Sequence, residues 1–240
     1  MTPEQLKASI LQLAIQGKLV EQRPEEGTAE DLYQKILDEK ANLIKEGKLK
    51  KEKPLPPIED EDKPFDIPSS WKWVRLGNIS NSNIGLTYKP SDISEKGVPV
   101  LRSNNIQNGE LFIDNDLIRV SIANIPKKNY VQDGDILICA RNGSRALVGK
   151  NAIIKDLQEP FAFGAFMAVI RSPYSRYIKC YLDSNVFRKA LDSVNTTTIN
   201  QITQTNLLNS LIPLPPLAEQ KRIVAKVEEL LALCDKLKLK

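Results

Sequence analysis

The stretch GSRALVGK, Gly143 to Lys150, comes nearest to catalytic chemistry, because glycine backbone amides together with a lysine can cradle phosphate. Its spacing excludes that use. Five residues rather than four separate the glycines, and Asn151 stands where a Ser or Thr would hold magnesium, so the stretch reads as a glycine turn between two strands. The chain has no histidine, which removes Ser-His-Asp and Cys-His nucleophiles, histidine-ligated zinc and histidine-dependent nucleases. A glycine-rich cofactor loop after an early strand and an Asn- or Asp-Pro-Pro-aromatic motif are missing, so base methylation lacks its residues. So does metal-assisted DNA cleavage, for no Pro-Asp is followed at a suitable distance by an acid, one residue and lysine. Cys139, Cys180 and Cys234 lie far apart and suggest neither disulfides nor zinc. The residues imply no catalysis, no cofactor and no bound metal.

Four polar loops carry a different chemistry. They are GLTYKPSD (85–92) with Tyr88 and Lys89, LRSNNIQNG (101–109) with Arg102, Asn104 and Asn105, ARNGSR (140–145) with Arg141, Asn142, Ser144 and Arg145, and NTTTINQ (195–201) with Thr198, Asn200 and Gln201. Arg pairs with guanine and Asn or Gln with adenine through two parallel hydrogen bonds, while Lys, Ser, Thr and loop amides hold phosphates. On this reading Asn105 and Arg141 approach bases, and Lys89 and Lys150 approach phosphates. Each assignment has a structural alternative: turn chemistry for Asn104 and Asn105, a solvated rim for Arg141 and Arg145, and helix capping for Thr196 to Thr198. Trp71 and Trp73 alternate as strand residues and belong to core and rim rather than to a base-stacking platform. The net charge of +4 and the pI near 8.8 tilt the chain toward an anionic partner.

These loops need a scaffold. At 240 residues with 41% apolar content, the chain can hold one sizeable core plus an appendage. No apolar run is long enough to cross a bilayer and no secretory pattern opens the chain, so the expected compartment is cytoplasmic. Thr2, Pro3 and Gln5 predict a capped first helix with Leu6, Ile10, Leu13 and Ala14 on one face up to Gly17. Thr28 and Asp31 open a second, carrying Leu32, Tyr33, Ile36, Leu37, Leu43 and Ile44 as far as Gly47. The prolines and the acids Glu59 to Asp62 of the next stretch forbid regular structure and mark a linker with solvated charges. From Trp71, short apolar runs (WKWVRLGNI, VPVLR, LIRV, DILICA, ALVG, NAII, AFMAVIR) predict strands of a mixed α/β domain with a considerable sheet. Two helices follow, YSRYIKCYLDS and NVFRKALDSV, then a short strand at Leu211 and Ile212.

The last stretch, Pro213 to Lys240, places Ile223, Val227, Leu230, Cys234 and Leu237 at alternating steps of four and three, with Val224 and Leu231 widening the stripe. That is the a/d spacing of a seam made for another helix. A helix of about 24 residues is roughly 36 Å long and needs its stripe buried. The spacing therefore predicts a second copy packed antiparallel along it, with folding back onto the chain's own first helices as the competing arrangement.

With these segments in view the chain resembles a specificity subunit of a type I restriction-modification system. The residues that carry the resemblance are LKASILQLAIQGKLV (6–20), EGKLKKEK, DIPSSWKWVRLGNI (66–79), VPVLRSNNI (98–106), DGDILICARNGS (133–144) with Val148 and Gly149, SNVFRKAL (184–191) and PLPPLAEQKRIVAKVEELLALCDKL (213–237). The resemblance implies one target recognition domain with a mixed β-sheet, flanked by an N-terminal helical hairpin and a long C-terminal coiled-coil-type helix. The corresponding divisions are 1–53 (conserved helices), 54–70 (linker), 71–212 (recognition domain) and 213–240 (spacer and dimerisation helix). It also implies a non-catalytic chain that binds double-stranded DNA, directs modification and restriction subunits to a bipartite site, and has no membrane partner. With one recognition domain rather than two, the chain reads as a half-subunit. A helical interaction adaptor and a recombination-cassette fragment without DNA binding of its own are the alternative readings.

Overall fold

The computed structural model describes residues 2–47, 54–113, 117–194 and 200–238. Helix α1 (Pro3–Ile15) starts at the expected capping box: the Gln5 amide donates to Thr2 Oγ1 at 3.2 Å and the Thr2 amide to Gln5 Oε1 at 2.9 Å. Its buried residues are Ile10, Leu11, Ala14 and Ile15, whereas Leu13 is exposed. The buried stripe is turned from the expected one because α1 is covered from two sides by helices described below. Helix α2 (Ala29–Lys45) has its own capping box from Thr28 and Asp31, and buries Ala29, Leu32 and Ile36 while leaving Leu37 and Leu43 exposed.

The remaining elements are β1 (Lys72–Arg75), α3 (Leu76–Ile79), β2 (Asn81–Ile84), β3 (Ile93–Leu101), β4 (Ile106–Gln107), β5 (Glu110–Leu111), β6 (Arg119–Val120), β7 (Ile136–Cys139), β8 (Asn151–Ile153), β9 (Ala162–Phe163), β10 (Met167–Arg171), α4 (Ser175–Leu182), α5 (Asn185–Val194), α6 (Gln204–Asn209), β11 (Leu211–Leu214) and α7 (Leu217–Lys238). The strands expected from the apolar runs form several sheets. An antiparallel sheet runs β2-β10-β7-β8, a second runs β6-β3-β9 with β3 and β9 parallel, and β1–β11 and β4–β5 are separate pairs. Two expected strands are not strands. LGNI is the helical turn α3, its Ser80 hydroxyl donating to Leu76 O at 2.8 Å, and ALVG belongs to a 3₁₀ turn that reverses the chain from β7 into antiparallel β8.

All four residues of β7 are buried, as a strand covered on both faces requires. Ile136 and Ile138 pack into the cluster that contains the helices, and Leu137 and Cys139 pack into the one built around Ile106, Phe161 and Phe163. The proline-rich arm before β1 is not a free tether. The Arg75 guanidinium donates to Pro56 O (2.9 Å), Pro57 O (2.6 Å) and Asn209 O (2.7 Å), so it ties the arm to the β1–β11 pair. Within the acidic run only Asp60–Asp62 forms a 3₁₀ turn.

Helix α7 lies along α1 and α4. Ile223, Val224, Val227 and Cys234 are buried within this one chain, and Leu230 and Leu231 pack partly against the same core. The seam that the spacing assigns to a second copy is therefore filled by α1 and α4, the competing arrangement, apart from α2, which packs on α3. The far end of the seam stays open, with Leu233 49% and Leu237 56% exposed. The start of α7 is fixed by Glu219, whose buried carboxylate accepts from Trp71 Nε1 at 2.9 Å and Gln22 Nε2 at 2.7 Å, burial holding its pKa above the usual range. Arg222 forks onto Glu26 at 2.8 and 2.7 Å and holds that carboxyl below the usual range. Among the described residues no helix is long and apolar enough to cross a membrane.

Candidate nucleic-acid interface

Three of the four polar loops meet in one groove. Its walls are Leu86, Thr87 and Tyr88 from the turn after β2, Arg102, Ser103 and Asn104 from the end of β3, Arg141 and Asn142 after β7, and Gly164 to Met167 between β9 and β10; its volume is 490 Å³. Backbone bonds hold these pieces together. Leu86 N donates to Phe163 O at 2.7 Å and Gly85 N to Met167 O at 3.0 Å, so two strands of backbone cross at Gly85. A Cβ there would sit 2.0 Å from Gly164 O, which leaves no room for any other residue. Gly85→Ala is accordingly expected to lower stability by about 2–4 kcal/mol, comparable to other core overpacking and strain, measured by urea denaturation.

The loop after β7 is braced from both sides. Ala140 N and Arg141 N donate to Phe166 O at 2.9 and 3.0 Å, Ile202 N donates to Ala140 O at 2.7 Å, and Asn200 Nδ2 donates to Gly143 O at 3.0 Å. Arg141 and Gln201 form an antiparallel bridge. Asn200 and Gln201 thus support the groove rather than line it. Thr198, and with it Thr196 to Thr197, lies outside the described residues. Gly149, at φ 87°, makes the turn into β8, as the glycine-turn reading of GSRALVGK expects.

Arginine pairing separates the groove from the rest of the described surface. Of the ten arginines, eight spend the guanidinium on a carboxylate or a backbone carbonyl: Arg23, Arg75, Arg119, Arg145, Arg171, Arg176, Arg188 and Arg222. Arg102 and Arg141 have neither among the described residues, and both stand exposed in this groove. Tyr88 is half-buried beside them, and Asn104 and Asn142 complete the polar lining. A guanidinium with its planar donors unspent, next to amide side chains, is the chemistry that reads guanine and adenine edges or grips phosphate.

Other expected contact residues go elsewhere. Asn105 is buried, its Oδ1 accepting from Arg102 N at 2.8 Å and its Nδ2 donating to Phe112 O at 3.1 Å, so in this structure it is a turn residue covered from solvent. Lys150 is half-buried and donates to Ser103 O at 3.1 Å, which ties it to the 102–105 turn. Arg145 pairs with Asp192 on α5 at 2.7 Å, and Ser144 closes a local turn with its amide on Asn142 Oδ1 at 3.0 Å. Lys89 is exposed at the rim, next to Tyr88. Trp71 and Trp73 are both buried. The residue that the sequence reading missed is Phe166, 59% exposed, with the Arg141 guanidinium 5.4 Å from its ring centre. The expected strand AFMAVIR absorbed it, and Gly164 was the sign that the strand starts later.

A larger hollow of 900 Å³ lies under the proline-rich arm, but its cations are already engaged: Lys63 with Asp60, Lys72 with Glu30 and Arg75 with the arm's carbonyls. Among the described residues no group of three or more His, Cys, Asp or Glu is placed to hold a metal. Burial pushes the Cys180 thiol up to about 12, so it stays protonated and unreactive at neutral pH.

Residues 68–239 match the family model described as type I restriction modification DNA specificity domain. The chain is 36% identical to the type I restriction enzyme EcoAI specificity subunit of Escherichia coli and 32% identical to the EcoEI specificity subunit of the same species, each alignment covering 97% of this chain. It spans 40% and 41% of those two proteins. Among solved structures it is similar to the HsdS subunit from Thermoanaerobacter tengcongensis, with a TM-score of 0.57, 22% identity, and coverage of 98% of this chain and 48% of that one. The shared fold, the matched model over the groove-bearing region and the two specificity-subunit relatives agree: the chain belongs to the type I restriction modification DNA specificity domain family.

Proposed function

We propose that this chain is the sequence-reading, non-catalytic component of a type I restriction-modification system, which binds double-stranded DNA in the cytoplasm and brings modification and restriction subunits to a specific site. The observation that carries the reading is the pair of unspent guanidiniums, Arg102 and Arg141, in one groove on a chain whose other arginines are all engaged. Tyr88, Lys89, Asn104 and Asn142 supply further contacts at the same mouth or rim, while 71–212 serves as the recognition domain between the helical segments 1–53 and 213–240. The relatives named above support the assignment to specificity subunits.

A bipartite target needs a second recognition unit beside residues 71–212. A second copy can supply it by pairing through the open end of α7, where Leu233 and Leu237 are exposed, and a two-fold arrangement would make the target an interrupted palindrome. The exposed Leu37 and Leu43 of α2 offer a separate apolar face for the modification or restriction subunits. The same faces would serve the adaptor reading, in which the helices assemble proteins and the groove touches no nucleic acid.

Gel-shift titration separates the two. With several phosphate contacts, affinity for duplex DNA should fall about a thousandfold between about 50 and about 200 mM salt, and a pure adaptor would show no shift to follow at either concentration.

A further inference from the structure

Arg102 and Arg141 both lack an ionic partner among the described residues, yet they are held differently. The aliphatic stem of Arg102 passes over Gly164, its Cγ 3.7 Å from where a Cβ would stand, and among the described residues no ring lies beneath its guanidinium. The Arg141 guanidinium lies over the Phe166 ring, 5.4 Å from the centroid, and the backbone of the same two residues is joined by the bond from Arg141 N to Phe166 O at 3.0 Å. Phe166 is 59% exposed and lies outside the buried clusters, so packing does not explain why a large apolar ring is kept at the mouth of a polar groove. The segment before it, Gly164-Ala165, carries no side chain large enough to cover it.

Stacking and base reading use different parts of a guanidinium. A ring attracts the guanidinium as a cation without the paired N–H···O bonds of a carboxylate, so the in-plane N–H fork stays available for two acceptors. An ion pair of the kind that holds Arg145 would consume that same fork. An arginine held over a ring and free of a carboxylate is therefore restrained before binding with its fork unpaired, and less freedom is lost when it engages guanine O6 and N7. Arg102, unstacked, suits a phosphate, which accepts from many directions.

We propose that Phe166 is a specificity-determining positioning residue, which presents the Arg141 fork to one guanine in the major groove. This rests on the DNA-reading function proposed above and assigns it to one position of the target.

The test is selection of bound duplexes from a random pool by the full chain, with the enrichment at each position read by sequencing and the salt slope measured on the selected duplex. Phe166→Leu keeps apolar bulk and removes the ring; it should cut the preference for guanine at one position about tenfold and leave the salt slope unchanged. Arg141→Lys should lose preference at that same position, and adding Phe166→Leu to Arg141→Lys should cost nothing further. Phe166→Tyr should restore the wild-type preference. Loss spread evenly over all positions, loss at a position that Arg141→Lys does not affect, or no change at all would overturn the role of Phe166 while leaving DNA reading standing. A wild-type chain that enriches no sequence would overturn the DNA-reading function and this inference with it. Thermal melting of each variant confirms that the fold is intact, as expected for a residue this exposed.

Discussion

Val227→Asp is expected to destabilise the isolated chain by about 3–5 kcal/mol, because it places an unpaired carboxylate where burial is nearly complete. Val227 is 2% exposed, and its neighbours on the stripe, Ile223 and Cys234, are as deeply covered by α1 and α4 of the same chain. Against a typical total stability of about 5–15 kcal/mol, a loss of that size moves the urea midpoint far down or abolishes folding at room temperature. Leu237→Asp at the open end is the matched control, 56% exposed and expected to change stability by less than about 0.5 kcal/mol. If a second copy docks at that end, Leu237→Asp alone should convert dimer to monomer in light scattering. A Val227→Asp chain as stable as the parent would mean that the stripe is not covered as described.

The second large effect concerns binding. Arg102→Ala combined with Arg141→Ala is expected to reduce affinity for a preferred duplex about a hundredfold, from about 1–3 kcal/mol for a lost guanine fork together with one lost phosphate contact. The salt slope should fall by about one unit, the share of the phosphate contact. Arg145→Ala makes the comparison sharp. Arg145 lies only four residues from Arg141 in the chain, but its guanidinium already pairs with Asp192 in an exposed ion pair, so its removal should change both affinity and stability by less than about 1 kcal/mol. Equal losses from Arg141→Ala and Arg145→Ala would show that the unspent guanidinium is not what selects the groove.

What the sequence makes legible here follows the range of the interactions. The two N-terminal helices begin where Thr2 with Gln5 and Thr28 with Asp31 form capping boxes, because a cap is complete within four residues. The a/d spacing of α7 correctly announces a helix partner but carries no address, and whether that partner is a second copy or α1 depends on contacts more than 200 residues apart, such as Lys7 with Asp235. The polar loops are visible from composition, yet composition does not separate Arg141 from Arg145: Asp192 arrives from α5 to take one and not the other. Asn105 illustrates the opposite case, since the pattern of an asparagine three residues after Arg102 is itself a turn signal and its amide is consumed locally. Phe166 was hidden by an apolar run that continues into β10, and only the crossing of backbone at Gly85 and Gly164 shows that the ring precedes the strand and faces the groove.

If this groove reads base edges through Arg141, guanine N7 methylation interference will reveal the guanine it reads. On the selected duplex, methylating N7 of one guanine should block binding of the parent chain, because that atom is one of the two acceptors of an arginine fork in the major groove. Arg141→Ala should bind more weakly overall and become indifferent to methylation at that guanine while keeping any other interference. An interference pattern identical in the parent and in Arg141→Ala would show that Arg141 does not read that guanine.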